Sequence, residues 1–201
     1  MQEVDGSIPF SSTIPAVRRP WRRARPQFQE APVMVFVLIV LAAASRLLPH
    51  PPNFAPVAAI GLYAGAYTSR KAGWVVPFAA LLLSDLVLGF YHPVAMVANY
   101  LAFATCLALG AGWLARGRSL PRVAGAVLAS SVSFFIVSNF GMWASGYYPR
   151  TWEGLVQCYT AALPFFRNTL ASDVVYSAAL FGGHALLARW FTRPAAETAR
   201  A

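Results

Sequence analysis

Charged side chains are what this sequence has least of. They make up 11% of its 201 residues, where a soluble domain carries about 25%. That shortage excludes an ordinary water-soluble surface over most of the chain. Acidic residues number seven. Lysine occurs once, at Lys71, against fifteen arginines, a bias that points to a GC-rich bacterial genome. The two cysteines, Cys106 and Cys158, fall in a helix and a loop respectively, and their spacing suits neither a metal site nor a redox pair. Three scattered histidines argue against a dedicated metal centre. No G-x-S-x-G, no H-E-x-x-H and no phosphate-binding glycine loop occurs, so no enzyme activity and no cofactor is expected.

What the chain has instead is long uncharged runs, 58% of its residues being hydrophobic. In lipid such runs must be helical, because no water satisfies their backbone groups. Six apolar segments appear: Pro32–Leu48, Phe54–Thr68, Gly73–Tyr91, Val94–Ala115, Val123–Ser145 and Thr169–Trp190. The expectation is an all-α integral membrane bundle of about six transmembrane helices. A disordered basic tail (1–31) precedes the six-helix transmembrane domain (32–191), and a short tail (192–201) follows. The second segment is short for a span of ~20 residues. Ala42-Ala43-Ala44 offers a signal-peptidase pattern, but the preceding region is long and the chain leads straight into another span, so the first segment reads as a retained helix. Thr151–Leu163, bracketed by Pro149 and Pro164, reads as a short helix on the outer face.

The net charge of +9 invites a nucleic-acid reading, and its distribution argues against one. Thirteen basic residues, in the N-terminal tail, at 70–71, at 116–122 and in the C-terminal region, fall on one side of the six-span arrangement. Only Arg46, Arg150 and Arg167 fall on the other. The positive-inside rule then puts both termini in the cytoplasm of a bacterial cytoplasmic (inner) membrane. Trp74, Trp113 and Trp190 at one boundary, with Trp143 and Trp152 at the other, agree with that frame. The tail arginines Arg18, Arg19, Arg22, Arg23 and Arg25 read as a topology signal or as a contact with anionic membrane lipid.

Polar residues inside a bilayer are expensive and usually have a role. Asp85 lies ~18 Å from the inner end of its segment. Arg46, Asn99, Asn139, Asn168 and Asp173 also fall in the outer half of the predicted bundle. Ser131, Ser138, Asn139 and Met142 share one helical face, as do Asp173, Ser177, Leu180 and His184. A pocket open to the outer side accounts for this placement. Its expected ligand contacts are Arg46, Asn53, Asp85, Asn139, Tyr147, Tyr148, Arg167, Asn168 and Asp173, the two arginines suggesting a carboxylate or phosphate on the small-molecule ligand. The structural alternatives are an aspartate–arginine pair that fixes packing, a helix N-cap at Asn168, an interfacial His92, and a hydrogen-bonded packing role for His184. Gly61-x-x-x-Gly65 allows close helix approach.

The strings from Ser45 to Phe54 (SRLLPHPPNF), Asn139 to Pro149 (NFGMWASGYYP) and Leu163 to Thr169 (LPFFRNT) resemble a family of small bacterial membrane proteins known only as a domain of unknown function, over roughly Val33 to Arg189. At the level of fold, the chain is also similar to the S components of energy-coupling-factor transporters. These are six-helix subunits that capture micronutrients outside and work with a membrane subunit and two ATPases. That likeness implies a solute-binding subunit for uptake, gated by 48–56, 91–94 and 146–168. S components often carry small residues four apart on the first helix for partner docking, and here that helix has only Ala42-Ala43-Ala44. A self-sufficient proton-coupled transporter relaying through Asp173 and His184, a membrane enzyme using a buried aspartate, and a purely structural protein are the other classes the residues allow.

Overall fold

The computed structural model describes residues 32–68 and 70–191. The tails expected at 1–31 and 192–201 lie outside these residues. Every regular element among the described residues is helical: α1 Pro32–Ser45, α2 Val57–Tyr67, α3 Arg70–Leu88, α4 Pro93–Trp113, α5 Leu120–Ala144, α6 Trp152–Ser177 and α7 Gly183–Phe191. A 3-10 turn at Leu114–Arg116 closes α4, and a π-helical turn at Ala178–Gly182 joins α6 to α7 in one continuous rod.

Three helical stretches among the described residues are long and apolar enough to cross a membrane: Pro93–Arg116, Leu120–Ala144 and Trp152–Trp190. Shorter apolar helices occupy Val33–Ser45, Val57–Tyr67 and Trp74–Leu88. Large side chains such as Leu41, Leu83, Val87, Leu101, Ile136 and Val175 are exposed. Such a surface suits lipid and would be an aggregation liability in water. These features fit a membrane protein.

The centre of the bundle is α2, the shortest of the apolar helices. Ala58 to Ala64 are almost entirely removed from the surface, with Leu62, Tyr63 and Ala64 at 0% exposure. Its 11 residues make a rod of ~16 Å, about half the thickness of a hydrocarbon core. Glycine lets α4 approach it closely. A Cβ at Gly65 would overlap the Leu107 carbonyl, and one at Gly110 would overlap the Leu62 carbonyl. The Gly61-x-x-x-Gly65 pattern is therefore a helix-packing face, with Phe103 and Cys106 of α4 against Gly61. At the C-terminal end of α2, Arg118 donates to the Ala66 carbonyl and its guanidinium lies 4.0 Å from the centre of the Tyr67 ring. A cation there suits the helix dipole and satisfies an orphan carbonyl.

Several local expectations need correction. The stretch Thr151–Leu163 is not a separate surface helix, and the region up to Asn168 is not a loop. Both belong to α6, which starts at Trp152 and runs through Pro164. Proline removes one backbone donor, and a membrane helix tolerates that where neighbouring groups compensate. Asn168 is accordingly no N-cap. Thr151 fills that role, its Oγ1 accepting from the Gly154 amide at 3.2 Å. Cys158 lies buried in α6, its thiol donating to the Asn139 carbonyl at 3.4 Å. The second apolar segment also forms less helix than expected, because Leu48–Pro56 with its four prolines stays irregular.

Candidate functional site

The shortness of α2 leaves room above its first turn, and a cavity of about 390 Å³ occupies it. Val57 and Ala58 of α2 form part of its wall, together with Asn53 and Ala55 of the irregular segment before them. Asn99 contributes from α4; Phe134, Phe135, Ser138, Asn139 and Met142 from α5; Tyr148 from the α5–α6 turn; and Cys158, Ala161, Ala162, Phe165, Phe166, Thr169 and Asp173 from α6. The Phe135 and Phe166 rings lie 4.8 Å apart, and Tyr159 packs on Phe135 at 5.7 Å. An apolar, aromatic wall carrying a few convergent polar groups, at this volume, is the usual make-up of a small-molecule site.

Asp173 is the carboxylic acid of that lining, and it is 1% exposed. Ser131 of α5, itself wholly buried, donates to its Oδ2 at 2.6 Å. The Ala59 amide, one of the orphan donors in the first turn of α2, faces the same carboxyl group. Oδ1 finds no partner of full hydrogen-bond geometry. One turn earlier on α6, Asn168 donates through its side chain to the Pro52 carbonyl at 3.1 Å, and Ser172 donates to the Ala55 carbonyl at 3.2 Å. This one face of α6 thus fastens the proline-rich segment 50–56 and the start of α2. Asn53 in that segment has φ of +59°, a left-handed conformation that asparagine tolerates better than most residues.

Of the nine residues expected at the site, the structure brings four to the cavity: Asn53, Asn139, Tyr148 and Asp173. Asn168 holds the segment behind it. Arg46 and Asp85 form a separate network. The Arg46 guanidinium meets the Asp85 carboxylate at 2.8 Å and donates to Ser84, while Tyr100 of α4 donates to the other Asp85 oxygen at 2.9 Å. Asp85 is 3% exposed, so this pair ties α1, α3 and α4 together away from the cavity. Arg167 is exposed on α6, and Tyr147 is 62% exposed with its ring 6.1 Å from that of His92. The helix start pictured beside Arg167 lies fifteen residues earlier in the chain, at Trp152. Neither arginine lines the cavity.

Missing from the expected list were the phenylalanine doublets Phe134–Phe135 and Phe165–Phe166, with Ser138, Met142 and Thr169. Ser138, Asn139 and Met142 share one helical face, a signal that was legible. Phe165–Phe166 falls in the aromatic stretch 146–168 expected to gate the pocket, whereas Phe134–Phe135 has no distinguishing pattern in a sequence with fourteen phenylalanines.

At the opposite end of α2, His184 is buried and its Nδ1 lies 2.6 Å from the Tyr63 hydroxyl. Its ring is 3.8 Å from that of Tyr67, and Phe181 completes the cluster edge-on to Tyr63. The π-helical turn just before His184 re-aims this part of the rod, and such turns recur at functional positions. No group of three or more His, Cys, Asp or Glu side chains placed to hold a metal occurs among the described residues.

The chain belongs to DUF6580, a family of unknown function, whose model matches residues 26–196. No curated protein and no solved structure matches it.

Proposed function

We propose that this protein is a multi-pass membrane protein that binds a small solute in the cavity above α2, from the outer side of a bacterial cytoplasmic membrane, as the capturing subunit of an uptake system. In this reading the chain crosses the membrane six times and both termini face the cytoplasm. The shorter helices α1, α2 and α3 count as spans: α1 and α3 expose large apolar side chains, and α2, sheathed by protein, does not need to match the lipid thickness. One observation carries the reading: a bundle that otherwise packs glycine against carbonyl leaves about 390 Å³ open at one end, lined by aromatic rings and a buried carboxyl group. The cavity's composition favours a largely apolar solute. It speaks against the carboxylate or phosphate suggested by the arginines, since neither lines it. An energising membrane subunit with ATPases is the partner this reading calls for.

The test uses single cysteines at Ser138 and Asn139 in a background with Cys106 and Cys158 replaced. Both should react with a membrane-impermeant thiol reagent added outside, and small molecules that co-purify should slow the reaction. No labelling of either, even after mild detergent opening, removes the binding reading.

A second reading has its own support. Asp173, Ser177 and His184 lie along the α6–α7 rod and are each at most 3% exposed, and buried ionisable groups in a membrane often relay protons. On that reading the protein is a self-sufficient proton-coupled transporter. Solute uptake into ATP-free proteoliposomes under a proton gradient favours it; strict dependence on an ATPase partner favours the first.

A further inference from the structure

Resting on the reading of the cavity as a solute site, we infer that its ligand is an aromatic organic cation whose ammonium or protonated ring nitrogen pairs with Asp173 while its ring lies among the phenylalanines. Three observations carry this. First, the charge inventory is one-sided: the described residues lining the cavity include no arginine, lysine or histidine, and Asp173 is the lone carboxylic acid there. The two arginines expected at the site are engaged elsewhere or exposed, with Arg46 held by Asp85 at 2.8 Å and Arg167 on the surface of α6.

Second, Asp173 is left incompletely satisfied. Ser131 occupies Oδ2 and the Ala59 amide faces the group, but Oδ1 lacks a full partner in a side chain that is 1% exposed. A buried carboxylate with lone pairs to spare is strongly stabilised by an added cationic donor. Purely structural fastening of α2 does not need this arrangement, because a serine or asparagine could meet the same Ala59 amide without a charge.

Third, the walls suit the rest of such a ligand. Phe135 and Phe166, from facing helices, pack on each other with ring centres 4.8 Å apart and form a continuous aromatic wall. Ring faces attract cations and accept flat aromatic bodies. Asn99 and Asn139 supply neutral hydrogen-bonding groups for orientation. An anion would meet the Asp173 carboxylate with no compensating charge, so the cavity selects by repulsion as well as attraction.

The experiment uses the full chain in lipid nanodiscs and three probes of one shape: tryptamine, indole-3-ethanol and indole-3-acetate. Binding is read by isothermal calorimetry and by the melting temperature. Tryptamine should bind at least about tenfold more tightly than the neutral alcohol, the size expected of a charge-assisted hydrogen bond, and indole-3-acetate most weakly. In Asp173→Asn the amine and the alcohol should become equal. Because Asp173 also braces α2, that variant is compared only if it melts cooperatively; the ranking of probes on the unmodified protein stands without it. Equal binding of amine and alcohol, tighter binding of the acetate, or binding of none of the three overturns the cationic assignment. Cysteine labelling at Ser138 and Asn139 then separately decides whether the cavity is a solute site at all.

Discussion

Asp85 and Asp173 look alike in the sequence, each an isolated acid in an apolar run, and their surroundings separate them. Asp85 has a full complement: Arg46 on one oxygen and Tyr100 on the other. Removing one member of a buried pair leaves the other charge unpaired, at about 3–5 kcal/mol, whereas replacing both by apolar residues is often neutral. Arg46→Leu and Asp85→Leu should each lower the detergent melting temperature sharply, and the double variant should recover most of the loss. A double variant as unstable as the sum of the two singles would show that the pair is not a coupled unit. Neither change should alter labelling of a cysteine at Asn139 in the folded protein, because the network lies away from the cavity. Asp173 belongs to the other class. There Asn, which keeps the shape and loses the charge, should weaken binding of a cationic probe more than it weakens the fold. A calorimetric titration beside a melting curve separates the two.

At the scale of the element, α2 and α4 approach so closely that glycine is required rather than merely allowed. Gly65→Ala or Gly110→Ala places a Cβ against a backbone carbonyl of the facing helix. Overpacking of this kind costs about 1–3 kcal/mol, and with backbone on the receiving side the upper end is expected. Gly112→Ala is the control. It lies in α4 with nothing within 4 Å of its would-be Cβ, so it should be neutral or stabilising by up to ~1 kcal/mol. Thermal unfolding of the three variants checks the contrast, and equal behaviour would mean that the helices can separate at little cost. The glycine spacing made this face legible in the sequence. The course of α6 was not legible. Pro149 and Pro164 look like brackets around a separate short helix, because a proline in water usually ends a helix. Within a packed apolar bundle the freed carbonyl finds other partners, so the helix continues, and only tertiary surroundings decide that. The same limit hid the cavity: the polar residues could be read as lying at similar depths, but whether Arg46 turns toward Asp85 or toward a ligand depends on how α1 leans on α3. Helical spacing within one element says nothing about that.

At the scale of the whole molecule, the distribution of charge and the place of the cavity bear on one another. The cavity end of the bundle holds the end of α5 and the start of α6, where Arg150 lies. The opposite end holds Arg116, Arg118 and Arg122 between α4 and α5, and Arg189 late in α7. The proposed orientation rests on this distribution: the positive-inside rule would put the second end in the cytoplasm and so turn the cavity outward. The rule counts arginines and lysines near span ends, so it does not depend on how short α2 is. The length of α6, the π-turn and α7 together is consistent with this. Thirty-nine residues extend ~58 Å, nearly twice the ~30 Å of hydrocarbon, so one end must stand clear of the lipid core unless the rod tilts steeply. Glu153 lies in the first turn of α6 and Thr151 caps it, so the end beside the cavity is suited to water. Reporter fusions after Arg116 and after Phe191 should read cytoplasmic, and one after Arg150 should read external. Converting Arg116, Arg118 and Arg122 together to glutamine should reduce the cytoplasmic signal at 116 without moving the signal at Arg150 to the inside. An external reading at Arg116 in the unaltered chain would invert the bundle, and the cavity would then face the cytoplasm, where a subunit that captures solute for uptake has no use for it.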